Sequence, residues 1–306
     1  MNAICPVCRE PGAATDRFCE VCGAALKGPP DPAADRVEID LGVLAGVSDR
    51  GHLHVRNEDA MALGRRLEDG PPHTLAAVVC DGVSTVRQPE LASRAATAAA
   101  LDALLAGTAS GEPLMLAAVS AAAEAVAHLA PGTPDAPSCT LVSAVIDVPV
   151  EGAGAAATIT VGWVGDSRAY WLADDGAAAL LTTDHSWAAE MVGAGILDEA
   201  TAMRDRRAHA ITRWLGADHA PVPGFATLTP DGPGVLLLCT DGLWNYEPDA
   251  AELAALALPV FAREGPLAAA DALTAFALDA GGRDNITVVC IPVTPAAAVD
   301  GQPADA

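Results

Sequence analysis

The sequence predicts an α+β fold in which two β-sheets pack face to face with helices on the outside. Short apolar stretches typical of strands occur in hairpin-like groups. Two helical stretches follow each other directly in the first half of the chain, and two more lie close together near its end. Strands and helices therefore do not alternate one by one, which disfavours a parallel sheet built from β-α-β units.

The composition limits the classes of partner. The chain has 306 residues, enough for one large domain and a small appendage. Its 40 acidic and 17 basic residues give a formal charge of −23, which would repel a phosphate backbone, so we expect no nucleic-acid partner. No apolar run is long enough to span a bilayer, and the N-terminus lacks a signal peptide core, so we expect a cytoplasmic protein without membrane association.

Residues 1–26 are predicted to form a small zinc ribbon. Two CxxC pairs are separated by ten residues, a spacing that matches a four-thiolate zinc site better than a redox pair or a chance cluster. Four thiolates leave no open coordination position, so the zinc is expected to be structural. The four predicted ligands are Cys5, Cys8, Cys19 and Cys22. Residues 27–36 contain three prolines and are predicted to be a linker.

The main domain is predicted to cover residues 37–293, with a disordered Ala/Pro/Asp-rich tail at 294–306. Its strands are recognised by apolar runs or alternation that end at Gly, Asp or Ser. The predicted strands are Ile39–Val47, Thr74–Cys80, Cys139–Val148, Ala157–Val164, Ala169–Leu172, Val235–Thr240 and Asn285–Ile291.

The predicted helices carry recognisable ends. Pro89 and Glu90 in the first turn and Gly107 after the last turn are typical of helix termini. The predicted helices are Pro89–Gly107, Glu112–Leu129, Ala250–Ala257 and Pro266–Ala280. Residues 184–213 are polar, mixed in charge and expected to be largely helical.

Acidic residues follow or precede apolar strands at several distant points. Asp81 ends the run Val78–Cys80, Asp241 ends the run Leu236–Cys239 after one threonine, and Asp284 stands just before the closing strand. Glu58 and Asp59 lie ahead of another apolar run. Carboxylates at strand ends, far apart in sequence, predict one site assembled by the fold.

The chemistry of this residue set indicates divalent cations. Carboxylate oxygens suit Mg²⁺ or Mn²⁺ and suit zinc poorly. Clustered carboxylates repel one another unless cations neutralise them. Two ions roughly 3.5–4 Å apart are the usual arrangement in phosphoryl hydrolysis. Any single Asp-Gly pair is more often a turn, so the prediction depends on the whole set.

Five short motifs occur in order along the chain: NED at 57–59, VVCDGVS at 78–84, VGDSR at 164–168, LLLCTDG at 236–242 and GRDN at 282–285. Together they resemble the metal-dependent protein phosphatase 2C family, bacterial type. The resemblance covers about residues 37–292. It implies a four-layer α-β-β-α sandwich of two mainly antiparallel sheets and a binuclear Mg²⁺ or Mn²⁺ centre. It also implies hydrolysis of phosphoserine and phosphothreonine in phosphoproteins, the targets of a Ser/Thr kinase.

The resemblance also implies roles for individual residues. Asp81 would bridge two metals, and Gly82 would offer its backbone carbonyl to one of them. Asp241 and Asp284 would complete the other, while Glu58 and Asp59 would act mainly through metal-bound water. Asp166 matches the position of a weak third metal in bacterial members.

The chain departs from the family pattern at three positions. His54 stands where the family usually has an arginine that grips the substrate phosphate. Arg56 would share the face of His54 in an extended strand and is the alternative phosphate ligand; otherwise we expect it to pair with Glu58 or Glu90. Val83 replaces a histidine proposed as general acid in some members. Asn245 replaces an aspartate that helps to hold the third metal.

Two other functions are compatible with the same residues. A degenerate phosphatase fold that acts as a binding or regulatory module is the main alternative, and only His54 and the altered segment after Gly82 favour it. A small phosphorylated molecule as substrate is a further possibility. The zinc ribbon is expected to serve as a docking or regulatory element for protein partners.

Overall fold

The computed structural model describes residues 35–66, 73–130, 135–148, 157–217 and 222–294, with the backbone of two short strands near the N-terminus. Strands β1 (Ala3–Ile4) and β2 (Pro11–Gly12) pair antiparallel. The predicted zinc ligands Cys5, Cys8, Cys19 and Cys22 lie outside the described residues, as do most of the predicted linker and the tail from 295.

Two antiparallel sheets form the centre of the described chain. The six-stranded sheet has the order β10-β9-β12-β13-β4-β3. Its strands are β3 (Arg36–Asp40), β4 (Ala45–Asp49), β9 (Arg168–Ala173), β10 (Ala178–Leu180), β12 (Gly234–Cys239) and β13 (Ile286–Val293). The five-stranded sheet has the order β11-β8-β7-β6-β5. Its strands are β5 (Ala60–Arg66), β6 (His73–Cys80), β7 (Leu141–Val148), β8 (Thr158–Val164) and β11 (Gly224–Leu228).

Helices cover the outer face of each sheet, so the predicted four layers are confirmed. The five-stranded sheet packs against α1 (Pro89–Ala106) and α2 (Gly111–Ala127). Short helices α3 (Trp187–Gly193), α4 (Glu199–Ala202) and α5 (Asp241–Trp244) lie in the connections. The six-stranded sheet packs against α6 (Ala250–Glu264) and α7 (Pro266–Asp279).

Strand β6 shows why an apolar run precedes the first site aspartate. Ala77 and Val79 face the other sheet, whereas Ala76 and Val78 face α1 and α2. All four are fully buried, because both faces of the sheet are covered. The strand therefore needs no polar positions until it reaches the sheet edge.

The structure corrects several predicted elements. The single strand expected at Ile39–Val47 is wrong: β3 and β4 form a hairpin, and its turn contains Gly42 at φ 77°. Strand β11 was not predicted. Helix α6 continues through Pro259 to Glu264. Residues 184–213 contain only α3 and α4, so the expectation of a largely helical segment is wrong. Among the described residues, no helix is long and apolar enough to cross a membrane.

Candidate metal and phosphate site

Acidic residues from both sheets lie at the same end of the sandwich. Asp59 directly precedes β5 and Asp81 directly follows β6, and the two strands pair with Ala60 opposite Cys80. In the other sheet, Asp284 lies just before β13. Asp241 is the first residue of α5 rather than the end of a strand, because β12 ends at Cys239. Asp166 lies in the turn between β8 and β9.

Backbone contacts hold the segment after β6. The Asp81 amide donates to Thr140 Oγ1 at 3.1 Å, and the Thr140 amide donates to the Asp81 carbonyl at 2.8 Å. A Cβ at Gly82 would lie 2.7 Å from the Glu58 carbonyl oxygen and 2.9 Å from the Pro89 Cβ. Only glycine therefore permits this close approach of the Asp81 segment to the Glu58 loop.

Burial and mutual repulsion perturb these carboxyl groups. Burial, followed by the charges of Asp59 and Asp241, raises the pKa of Asp81 well above its usual range. Burial is also the largest cause that raises the pKa of Asp59 to about 8 and of Asp241 to about 7. The pKa of Asp166 is raised well above normal for the same first reason, with the charge of Asp241 next. Four carboxyl groups thus share one electrostatic environment.

Two of these carboxylates present unsatisfied oxygens. Asp59 Oδ1 and Asp241 Oδ1 are buried and have no hydrogen-bond partner. A buried carboxylate oxygen without a donor carries a large desolvation cost, which a bound cation would remove. The oxygen-only donor set fits Mg²⁺ or Mn²⁺.

The site is not a closed coordination sphere in the protein alone. Within the described part of the chain, no three His, Cys, Asp or Glu side chains are grouped as a ready metal cluster. The same side chains are close enough to raise one another's pKa. Carboxylates this close repel one another, and a bound divalent cation would relieve that repulsion.

The two candidate phosphate ligands have different surroundings. His54 Nε2 lies 3.1 Å from Asp284 Oδ1, and its Nδ1 lies 4.0 Å from Glu58 Oε2. Arg56 Nη1 donates to Glu90 Oε1 at 2.9 Å, the pairing named as the alternative from the sequence. Residues 51–59 form no strand, so His54 and Arg56 do not share a strand face as expected.

Asn285 braces the loop that carries His54, Arg56 and Glu58. The Glu58 amide donates to Asn285 Oδ1 at 2.8 Å. Asn285 Nδ2 donates to the carbonyl oxygens of Arg50 at 2.8 Å and Arg56 at 3.1 Å. A buried asparagine that satisfies three backbone groups has a structural role here.

Hydroxyl residues beside the carboxylates were not identified from the sequence. Thr240 and Thr287 both donate to Asp59 Oδ2, at 2.9 and 2.7 Å. Ser84 donates to Glu58 Oε2 at 2.6 Å. The sequence does contain Thr240 in TDG and Thr287 in DNIT. Threonines in and beside strands are too common, however, for this to indicate a role.

An ion pair joins the turn at Asp166 to the segment that follows β10. Arg168 binds both oxygens of Asp184, at 2.9 and 2.7 Å, and stacks on Trp244 at 3.8 Å. The next residue, His185, accepts from the Gly165 amide at 3.2 Å. Burial, and then the charge of Arg213, lowers the pKa of His185 to about 4, so this histidine is neutral and local in its bonding.

The fold and the acidic site together define a class: an antiparallel two-sheet sandwich with helices on both faces and a carboxylate site at one end. A sequence model described as "Protein phosphatase 2C" matches residues 50–276, about three quarters of the chain. The chain belongs to the protein phosphatase 2C family.

Individual relatives agree with this assignment. The serine/threonine phosphatase stp of Listeria innocua is 32% identical over 133 residues, 44% of this chain and 51% of that protein. The chain thus spans about half the length of the curated relatives it matches. The crystal structure of the serine/threonine phosphatase PstP/Ppp of Mycobacterium tuberculosis is 26% identical, with a TM-score of 0.64, and the match covers 82% of this chain and 97% of that one. A catalytic domain of PstP in complex with two manganese ions is 27% identical, with a TM-score of 0.61 and the same coverage.

Proposed function

We propose that the protein is a serine/threonine phosphoprotein phosphatase that depends on Mn²⁺ or Mg²⁺. The observation that carries the proposal is the set of buried carboxylates with two unpartnered oxygens at one end of the sandwich. Supporting it, the structurally similar PstP domain binds two manganese ions, and the similar proteins named above are serine/threonine phosphatases. Substrates would be phosphoserine and phosphothreonine residues of the targets of a Ser/Thr kinase.

We propose the following residues for the centre. Asp81, the Gly82 carbonyl, Asp241 and Asp284 would hold two cations, with Asp166 at a weak third position. Bound there, the cations supply charge neutralisation and activation of water for attack on phosphorus. Asn245 donates to Asp241 Oδ2 at 3.1 Å, so its neutral amide is a hydrogen-bond partner of a proposed metal ligand.

The remaining site residues would orient the substrate and the water. Glu58 and Asp59 would accept protons or hydrogen bonds from water at the centre. His54 and Arg56 are the candidate phosphate ligands, and each is now paired with a carboxylate, Asp284 and Glu90 respectively. A substrate phosphate would have to compete with these carboxylates for His54 and Arg56. Because the cations neutralise carboxylates, we expect an anionic ligand and the cations to bind together.

The test replaces one proposed metal ligand with its amide. Asp241→Asn keeps the size of the side chain but removes a negative charge, so Mn²⁺-dependent release of phosphate from a phosphothreonine peptide should fall by about 100-fold or more. Asp279→Asn, an exposed aspartate at the end of α7, is the matched control and should retain wild-type activity. Undiminished turnover by Asp241→Asn would refute the metal assignment.

The same assay separates the alternatives. A binding module would show no Mn²⁺-dependent turnover of any phosphopeptide, yet Asp81, Asp241 and Asp284 are all present. A phosphatase for small molecules would hydrolyse an aryl phosphate and reject phosphopeptides. Apolar Leu53 and Val55, 69% and 50% exposed beside His54, favour a peptide over a small polar molecule.

The N-terminal segment is a separate proposal. We propose a zinc ribbon at residues 1–26, a linker at 27–36, a catalytic domain at 37–293 and a tail at 294–306, on the cysteine spacing and composition. A chain that begins at Asp35, which keeps β3 and its contacts intact, should keep turnover of a phosphopeptide and lose one equivalent of zinc. Loss of turnover in that truncated protein would assign the segment to catalysis instead of docking.

A further inference from the structure

A network of hydrogen-bonded polar side chains, all buried except the half-buried Asn57, ends at Asp59. Asp59 Oδ2 accepts hydrogen bonds from the hydroxyls of Thr240 and Thr287, at 2.9 and 2.7 Å. Thr287 Oγ1 lies 2.8 Å from Ser48 Oγ, and Asn57 Nδ2 donates to Ser48 Oγ at 2.8 Å. These residues belong to the ends of three strands or the loop beside them. The hydrogen-bond network therefore crosses from the six-stranded sheet to the strand that follows Asp59.

The direction of every hydrogen bond in this network follows from its neighbours. The Thr287 amide donates to Thr240 Oγ1 at 3.0 Å, so the Thr240 hydroxyl proton is available for Asp59. With a cation bound, the Asp59 carboxylate is ionised and only accepts, so the Thr287 hydroxyl proton also points to Asp59. Ser48 must therefore donate to Thr287, and it receives the Asn57 amide proton in turn.

The hydrogen-bond network returns to Asp59 and so forms a closed ring. The Asp59 amide donates to Asn57 Oδ1 at 3.2 Å, which fixes the orientation of the Asn57 side-chain amide. One carboxylate oxygen, Oδ2, is thus saturated by two hydroxyls. The other, Oδ1, is buried and has no hydrogen-bond partner.

We propose that Thr287, Thr240 and Ser48 are positioning residues that hold Asp59 with Oδ1 directed toward the cation centre. This inference rests on the proposed function, because it assigns Oδ1 to a bound cation or to its water. Two hydroxyls on one oxygen prevent rotation of the carboxylate, so Asp59 presents a single fixed acceptor. Hydrogen-bond partners behind a metal centre typically change metal affinity by about 10–100-fold when removed.

The test measures Mn²⁺ binding by calorimetry, with the full chain freed of metal by a chelator. Thr287→Val keeps the shape of the side chain and removes the hydroxyl, so the Mn²⁺ dissociation constant should rise by about 10-fold or more. Thr287→Ser restores the hydroxyl and should recover most of the affinity. Thr240→Val should weaken binding in the same way and serves if Thr287→Val does not fold.

A matched control separates positioning from packing. Thr274 in α7 is equally buried, but its hydroxyl donates to the Ala270 carbonyl within the helix. Thr274→Val should leave Mn²⁺ affinity unchanged, even if it lowers the melting temperature. Wild-type affinity in both Thr287→Val and Thr240→Val would overturn the inference and leave the proposed function intact. A wild-type protein that binds no Mn²⁺ would overturn both.

Discussion

Asn285 offers the sharpest test of how the site loop is held. Its side chain forms three hydrogen bonds to backbone groups of residues 50–58, and it is only 2% exposed. Asn285→Ala removes all three bonds and adds no new contact. The Glu58 amide and the carbonyls of Arg50 and Arg56 then lose a buried partner.

The expected loss of stability follows from those three groups. A buried donor or acceptor left unsatisfied costs about 1–3 kcal/mol, so three of them give about 3–5 kcal/mol once some rehydration is allowed. The loop also carries His54 and Glu58, so its release should lower phosphatase activity more than the fraction of unfolded protein explains.

Urea denaturation of the metal-free protein, followed by circular dichroism, measures this free energy of unfolding. Thr97→Val is the control, because Thr97 is buried in α1 and its hydroxyl adds a bond to the Ser93 carbonyl. That variant should lose about 1 kcal/mol or less. A loss below about 1 kcal/mol in Asn285→Ala would show that water or loop movement replaces its bonds, and the bracing role would be refuted.

Two further predictions concern the charges around the site. In a chelator, the free energy of unfolding should fall as pH rises, because the pKa values of Asp59 and Asp241 in the folded protein, about 8 and about 7, exceed the value of 3.8 expected when unfolded. This stabilisation is complete below about pH 4 and is lost as the pH rises through about 7–8. Thermal melts at several pH values measure it, and saturating Mn²⁺ should abolish the decline. A flat profile in chelator would contradict the prediction. Arg168→Ala should cost about 3–5 kcal/mol, because it leaves Asp184 unpaired at low exposure and removes the stacking on Trp244. Arg168→Lys should recover only part of this loss, since lysine cannot bind both oxygens in the same geometry, and full recovery in urea melts would contradict the bidentate explanation.

Local patterns were sufficient for much of the fold. The helix ends at Pro89 and Gly107, and the apolar run before Asp81, follow from rules that act over a few residues. The hairpin at β3 and β4 was missed because a single glycine at φ 77° ends the alternation without a turn motif. Helix α6 passes Pro259 because packing on the sheet outweighs one lost backbone hydrogen bond.

The candidate site likewise has features that the sequence determined and features that only the tertiary structure decided. Residue type and position at strand ends determined which carboxylates are candidates and which cations suit them, since both depend on chemistry carried within each motif. Only the tertiary structure decided the bonding partners: Arg56 with Glu90, His54 with Asp284, and Asp59 with two threonines from other strands. Those partners are 30 to more than 200 residues apart. The sequence named Glu90 only as one of two candidates for Arg56, because local patterns do not determine which side chains meet when two sheets pack.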